Sequence, residues 1–198
     1  MKIKMELLSD AIFGNGMSVP GEEDISVQSD EYGFPYYKGG TFKGVFREML
    51  ERYLEWTGNA EIKSTLAQLL GEEGSDEKVD YDKLVFSDFT LSDAVKTAVL
   101  KEIEEDTEDL KNGISSEKPV RVLDIFTNMR TFTKVNEDGT AQKGSLRNCR
   151  CVNQGLVLYS EVRCKESDEK LVEEVIGMIK GIGTLRSRGF GNVKISRC

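Results

Sequence analysis

Residues 181–198 read Gly181-Ile-Gly-Thr-Leu-Arg-Ser-Arg-Gly-Phe-Gly-Asn-Val-Lys-Ile-Ser-Arg-Cys198. Glycines flank Arg186 and Arg188 on both sides, and an alternating segment with Val193 and Ile195 follows. Glycine lets the backbone reach left-handed angles and lets another molecule come close. Successive exposed N–H groups make a hollow that suits an anion. Guanidinium forks match phosphate geometry. Residues 180–198 hold five Lys or Arg and no Asp or Glu. The plain alternative is a glycine-rich turn leading into an edge strand.

That last strand, over 192–197, closes a longer pattern. Residues 2–8 set Ile3, Met5 and Leu7 against Lys2, Lys4 and Glu6, which reads as a half-buried strand. Residues 9–37 have no helical period and predict a long loop. From Gly39 to Trp56, Phe42, Val45, Phe46, Met49, Leu50, Tyr53 and Leu54 form a helical stripe, with Thr41 or Gly40 as cap. A short helix is expected over 60–70, an acidic loop over 71–82 and a strand over 84–89. A helix over 91–110 follows, with Ser92 as cap and Val95, Val99, Ile103 and Leu110 on its apolar side. Its Glu- and Asp-rich outer face reads as solvated. Residues 112–119 break the pattern. Segments 120–135 and 146–163 are β-rich and joined by Asn136–Gly144, where Asp138-Gly139 signals a turn. A helix over 168–180 takes Ser167 as N-cap and Gly181 as its stop.

Insertions aside, the order is strand, helix, strand, strand, helix, strand. The fold class is therefore α+β, with a ferredoxin-like (RRM-like) β-α-β-β-α-β core. One domain is expected over 1–198, carrying an acidic helical insertion over 60–118 and a thumb-like hairpin over 120–164. No strand is rich in aromatic residues, so base stacking on the sheet in the manner of an RRM is not supported.

Charge narrows the function. The chain of 198 residues has a net charge of −8, but residues 61–117 alone hold sixteen acidic and six basic side chains. The rest sums to +2, since −8 minus −10 is +2. Local charge is what a phosphate chain feels. The absence of histidine excludes a histidine general base, Ser-His or Cys-His nucleophile pairs and mixed Cys/His zinc sites. The four cysteines do not suggest a disulfide scaffold. Cys149 and Cys151 alternate on one side of a strand; with Cys164 and Cys198 a four-thiolate site is conceivable, but the spacing is not that of a zinc ribbon. No apolar run is long enough to span a bilayer, and the charged N-terminus is unlike a signal peptide. A cytoplasmic location without membrane contact is the expectation.

The spacing Gly183, five residues, then Gly189-Phe190-Gly191 resembles the glycine-rich loop of the RAMP superfamily, the RNA-binding subunits of CRISPR effector complexes. Three further segments are similar to that family. Asp24 to Arg47 contains Asp30-Glu-Tyr-Gly33-Phe-Pro35-Tyr and then a small-residue step into a helix with Lys43-Gly44. Leu84-Val-Phe-Ser-Asp-Phe89 is similar to a strand ending in Ser-Asp. Met129 to Arg147 resembles the thumb that such subunits project across guide RNA. The hairpin and the Asp-Glu-Tyr-Gly turn look closest to type III systems, the III-D branch in particular.

The resemblance implies a type III effector subunit that holds the backbone of CRISPR guide RNA, meets target RNA and contacts other effector-complex subunits. Gly39 and Gly40 would present N–H groups at the positive end of the helix, near Lys38, Lys43 and Arg47. The hairpin would bring Arg130, Lys134, Lys143 and Arg147, with Phe132 and Leu146 as candidate wedges between bases. Gly183, Arg186, Arg188, Gly189, Phe190 and Gly191 complete the RNA-binding set. Asp24 stands where the family's target-cutting members carry an Asp that supports metal-dependent cleavage, which would make the chain an endoribonuclease with Mg2+ as the ion. No other cofactor is implied. A guide-processing endoribonuclease of the same superfamily and a ferredoxin-like interaction module without RNA remain open as alternatives.

Overall fold

The computed structural model describes residues 1–18, 23–59, 61–71, 83–111 and 121–198, with only the backbone described over 106–111. Most of the expected acidic loop over 71–82 and the expected break over 112–119 lie outside the described residues, as do Glu22 and the Leu110 side chain.

The alternating N-terminus forms β1 (Lys2–Leu7), with Ile3, Met5 and Leu7 buried and Lys2, Lys4 and Glu6 exposed. It is central to a sheet of order β2–β5–β1–β6, where β2 is Val85–Phe86, β5 Val157–Arg163 and β6 Val193–Arg197. All three pairings are antiparallel, with Met5 opposite Leu158 on one side and Ile195 on the other. Two helices cover the buried face: α1 (Gly39–Trp56) and α5 (Glu169–Met178). Phe42, Phe46, Leu50 and Leu54 of α1 join Val172, Val175 and Ile176 of α5 in the core. The Phe42 ring meets Phe86 at 4.9 Å and Phe89 at 4.6 Å. Each such buried side chain contributes roughly 1.5–3 kcal/mol. Helices α2 (Ile62–Leu70) and α3 (Asp93–Lys111) lie between α1 and the rest of the chain in sequence. Ser92 caps α3, accepting the Val95 N–H at 3.4 Å.

The hairpin strands β3 (Thr127–Phe132) and β4 (Arg147–Val152) pair in a separate two-stranded sheet. A helical turn, α4 (Val122–Phe126), precedes β3 where strand was expected. The local chemistry explains it: Arg121 pairs with Asp124 three residues on at 2.9 Å, and the Asp124 N–H closes a turn on the Arg121 carbonyl. The strand expected over 84–89 shortens to two residues, because Asp88 turns away to meet α1. Two helix caps also differ from expectation. Lys38, not Thr41 or Gly40, occupies the N-cap of α1. Asp168, not Ser167, occupies that of α5, since a 3-10 turn over Glu166–Asp168 draws Ser167 in and bonds its hydroxyl to Asp168.

The long loop over 9–37 is held by isolated bridges, Gly14 to Val27 and Ser29 to Pro35. Its Ile25 pairs in parallel with Cys149 of β4. No described helix is long and apolar enough to cross a membrane.

Candidate nucleic-acid interface

The glycine loop is stitched to the segment after β1. Ile182 and Gly191 close on each other, with the Ile182 N–H donating to the Gly191 carbonyl at 2.9 Å. The Gly191 N–H donates to the Asp10 carbonyl at 2.8 Å, and the Thr184 N–H to the Ile12 carbonyl at 3.2 Å. A Cβ on Gly191 would lie 1.9 Å from the Ile182 carbonyl oxygen, so only glycine permits this closure. A 3-10 turn over Arg186–Arg188 then stands off the surface. The N–H groups of Leu185, Arg186 and Ser187 have no acceptor among the described residues. Both arginines are exposed, and neither has an ion pair or hydrogen-bonded side chain among the described residues.

Each arginine faces a different recess. Arg186 lines a cavity of about 260 Å³ at the start of α1, together with Lys38, Thr41, Tyr36, Gly183 and Thr184. Gln28 donates to the Tyr36 hydroxyl at 2.7 Å on its wall. Burial pushes the Tyr37 phenol up, against the opposing pull of the Gly183 N–H and the Arg186 charge. Arg188 lines a groove of about 570 Å³ against the hairpin, with Phe132, Lys134, Arg147, Cys149 and Leu185. Phe190 packs edge-on against Phe132 at 5.6 Å, backing the ring that lines the groove; Leu146 is 65% exposed. Lys143 is exposed near the hairpin tip, between two residues that line the groove.

Other predicted cations are placed elsewhere. Lys43 and Arg47 lie one turn apart on a different face of α1 from Thr41 and Val45. Arg47 donates to the Gly71 carbonyl at 3.1 Å, capping α2. Burial and the neighbouring charges of Arg47 and Lys83 hold the Lys43 ammonium below the usual lysine range. Arg130 is exposed but paired: its Nε and Nη2 reach Asp10 Oδ2 at 3.0 and 2.6 Å. Asp10 further accepts from Asn128 and the Gln154 N–H.

Gly39 corrects the helix-end expectation. Its N–H donates to Asp88 Oδ1 at 2.8 Å, so the anion at this position is the chain's own. A Cβ there would lie 2.2 Å from the Phe86 carbonyl oxygen; Gly39 is the point where α1 touches β2. Gly40 has open space around it.

Asp24 is exposed beside β4. Its Oδ2 accepts the Asn148 N–H at 2.7 Å, and its own N–H donates to the Asn148 carbonyl at 2.7 Å. Its neighbour Glu23 is buried against Arg150 at 3.0 Å, and Arg150 also reaches Asp124 at 2.7 Å. No group of three or more acidic or cysteine side chains among the described residues can hold a metal. One carboxylate with one oxygen already engaged does not fit a resident Mg2+. Cys149 and Cys151 are buried with Ile12, Cys164 is half-buried and Cys198 exposed. Burial, then the charges of Asp10 and Cys149, pushes the Cys151 thiol up to about 12.

Sequence reasoning missed Asp10, Glu23 and Arg150, which anchor the hairpin, and Gln28 and Tyr36, which wall the first cavity. The partners of Asp10, Glu23 and Arg150 lie far along the chain; Gln28 meets Tyr36 eight residues on, but the Asp30–Tyr36 motif signals a turn and not a cavity wall.

Comparison with known proteins agrees with this architecture. No curated protein sequence matches the chain. One solved structure, the cryo-EM structure of the type III-B Cmr-beta bound to cognate target RNA, has a chain 14% identical that superposes with a TM-score of 0.67, over 98% of this chain and 95% of that one. The apo state of the same assembly gives 14% identity and a TM-score of 0.66, over the same shares. The RAMP superfamily profile matches residues 4–194, and the chain belongs to the RAMP superfamily.

Proposed function

We propose that this chain is an RNA-binding subunit of a CRISPR type III effector complex, gripping guide RNA through its sugar-phosphate backbone. The observation that carries the reading is the pair Arg186 and Arg188: exposed, unpaired among the described residues, and directed into two recesses lined by further cations. Lys38 accompanies Arg186, and Lys134 and Arg147 accompany Arg188. An exposed arginine with no internal partner keeps its full capacity for a bidentate phosphate contact. Contacts of this kind position a backbone without reading sequence.

The sheet order β2–β5–β1–β6, with α1 and α5 on one face, fits the ferredoxin-like β-α-β-β-α-β arrangement. The solved relatives belong to type III-B assemblies that include a state bound to target RNA, which supports RNA and neighbouring subunits as partners. Placement in the III-D branch rests on the hairpin and turn motifs alone. The reading claims binding alone: Asp24 offers one carboxylate, which would hold Mg2+ only jointly with phosphate oxygens of bound RNA.

The test is an RNA-binding titration of the full chain over a range of salt concentrations. Arg186→Ala with Arg188→Ala weakens binding and flattens the slope of log affinity against log salt by about 1.4, the value for two single-strand phosphate contacts. Unchanged affinity and slope in the double variant overturn the proposal.

A further inference from the structure

At its left-handed positions the loop uses glycine three times: Gly183 (φ 71), Gly189 (φ 85) and Gly191 (φ 69). The fourth position is Leu185, with φ 56 and ψ 29, the only non-glycine residue with positive φ among the described residues. A branched side chain in this region crowds its own backbone, so it persists only where the surroundings hold it. The surroundings here are a small apolar cluster distinct from the main core. Leu185 packs half-buried with Ile12, Cys149 and Cys151, beside Phe132 and Phe190. Immediately before it, the Thr184 N–H is fixed on the Ile12 carbonyl; immediately after, the Arg188 N–H closes on the Leu185 carbonyl at 2.8 Å. Leu185 is thus the last anchored side chain before the two free arginines, and it is the N-cap of their 3-10 turn.

We propose that Leu185 is a positioning residue: its side chain, clamped between the Ile12 segment and β4, holds the backbone in the left-handed state that sends Arg186 toward α1 and Arg188 toward the hairpin. The proposal rests on the RNA-binding reading for its consequence but not for its geometry. Without the clamp, the arginine turn keeps its two internal hydrogen bonds, Arg188 to Leu185 and Gly189 to Arg186, and the Asn192 amide on the Gly189 carbonyl at 3.3 Å. The arginines would then be ordered by RNA at the moment of binding, at a cost in affinity.

Leu185→Gly separates the two contributions, because glycine adopts the same angles without strain but cannot be clamped. Leu185→Met keeps an apolar side chain of similar volume. Two readouts are taken on the full chain. Trypsin cleavage after Arg186 and Arg188 needs no RNA: it accelerates several-fold in Leu185→Gly and stays near wild type in Leu185→Met. Binding to single-stranded RNA weakens several-fold in Leu185→Gly with the salt slope unchanged, because both arginines still reach phosphate once RNA orders the turn, and Leu185→Met binds as wild type does. If Leu185→Gly does not fold, as judged by loss of a cooperative melt, Leu185→Asn replaces it, since asparagine also tolerates the left-handed region. Wild-type cleavage and binding in the glycine or asparagine variant overturn the proposal, as does a methionine variant as impaired as glycine. A wild-type chain without salt-sensitive RNA binding overturns the RNA reading instead, and the trypsin comparison then decides the role of Leu185 by itself.

Discussion

The base of the hairpin and the glycine loop are both rich in arginine, yet they use it in opposite ways. At the hairpin base Arg150 has 9% of its side chain exposed and is shared between Glu23 and Asp124. Arg130, on the neighbouring strand, is locked to Asp10. In the glycine loop, Arg186 and Arg188 stand in solvent and none of the described acidic groups pairs with them. The same residue type therefore serves as mortar in one region and as a solvent-facing group in the other. The difference is set by which carboxylates the fold brings within reach. It can be broken from either side, by removing a partner from the mortar or by showing that a group on the open side is structurally required.

The largest effect is expected at Arg150. Arg150→Ala leaves the Glu23 carboxylate, with 7% of its side chain exposed, without its cation. Glu23 Oε2 already lacks a hydrogen-bond partner among the described residues, so nothing nearby takes over. Stranding one member of a buried pair costs about 3–5 kcal/mol. Chemical denaturation measures it. A double change of Glu23→Gln with Arg150→Met recovers much of the loss, since glutamine removes the stranded charge and methionine refills the space of Arg150. A single variant as stable as wild type would mean that Arg150 is no more structural than Arg186.

Asp10 comes next. Burial raises its carboxyl pKa, but the hydrogen bonds from Arg130, the Gln154 N–H and Asn128, with the Arg130 charge, outweigh this and leave it below the ordinary value. Asp10→Asn keeps one acceptor and loses the charge, at a cost of about 1.5–3 kcal/mol near neutral pH. The sign of the pH dependence follows from the depressed pKa. The stabilisation is complete above the unfolded-state value of about 3.9 and is lost as pH falls through the lower folded-state value. The gap between wild type and Asp10→Asn in denaturation therefore narrows on acidification below that range. A gap that stays constant with pH would detach the effect from the charge of Asp10.

Much of this was legible in the sequence, and the boundary is physical. The stripe Phe42, Phe46, Leu50 and Leu54 declares α1 because helical period and burial coincide. The alternation of β1 declares a strand for the same reason. The glycine loop with its two arginines was visible as local spacing. Pairings across the chain were not: Asp10 meets Arg130 from 120 residues away. The placement of Lys38 on one face of α1 and of Lys43 and Arg47 on another has a subtler reason. Proximity in sequence to a helix start is not proximity in space, since successive helical residues rotate around the axis. Thr41 and Val45 share the cavity face with Lys38, whereas Lys43 and Arg47 share another. The α4 turn was hidden because its cause, an Arg121–Asp124 pair, looks like ordinary surface charge.

The smallest effects sharpen the comparison at the start of α1, where two adjacent glycines fall on its two sides. Gly39 is mortar: its N–H is taken by Asp88, and a methyl group there would collide with the Phe86 carbonyl. Neither the backbone of β2 nor that of α1 can yield without disturbing the ladder to β5. Gly39→Ala therefore costs about 1–3 kcal/mol through overpacking. Gly40 meets nothing within 4 Å and sits in the first helical turn. Alanine loses less backbone entropy on folding than glycine does, so Gly40→Ala gains about 0.4–1 kcal/mol. Opposite signs from neighbouring substitutions of one type, read by thermal denaturation of both variants side by side, are a stringent outcome. Equal signs would mean that the open side of the helix start is built into the fold as firmly as the closed side, and Gly40 would then have to be placed with Gly39 rather than beside the free arginines.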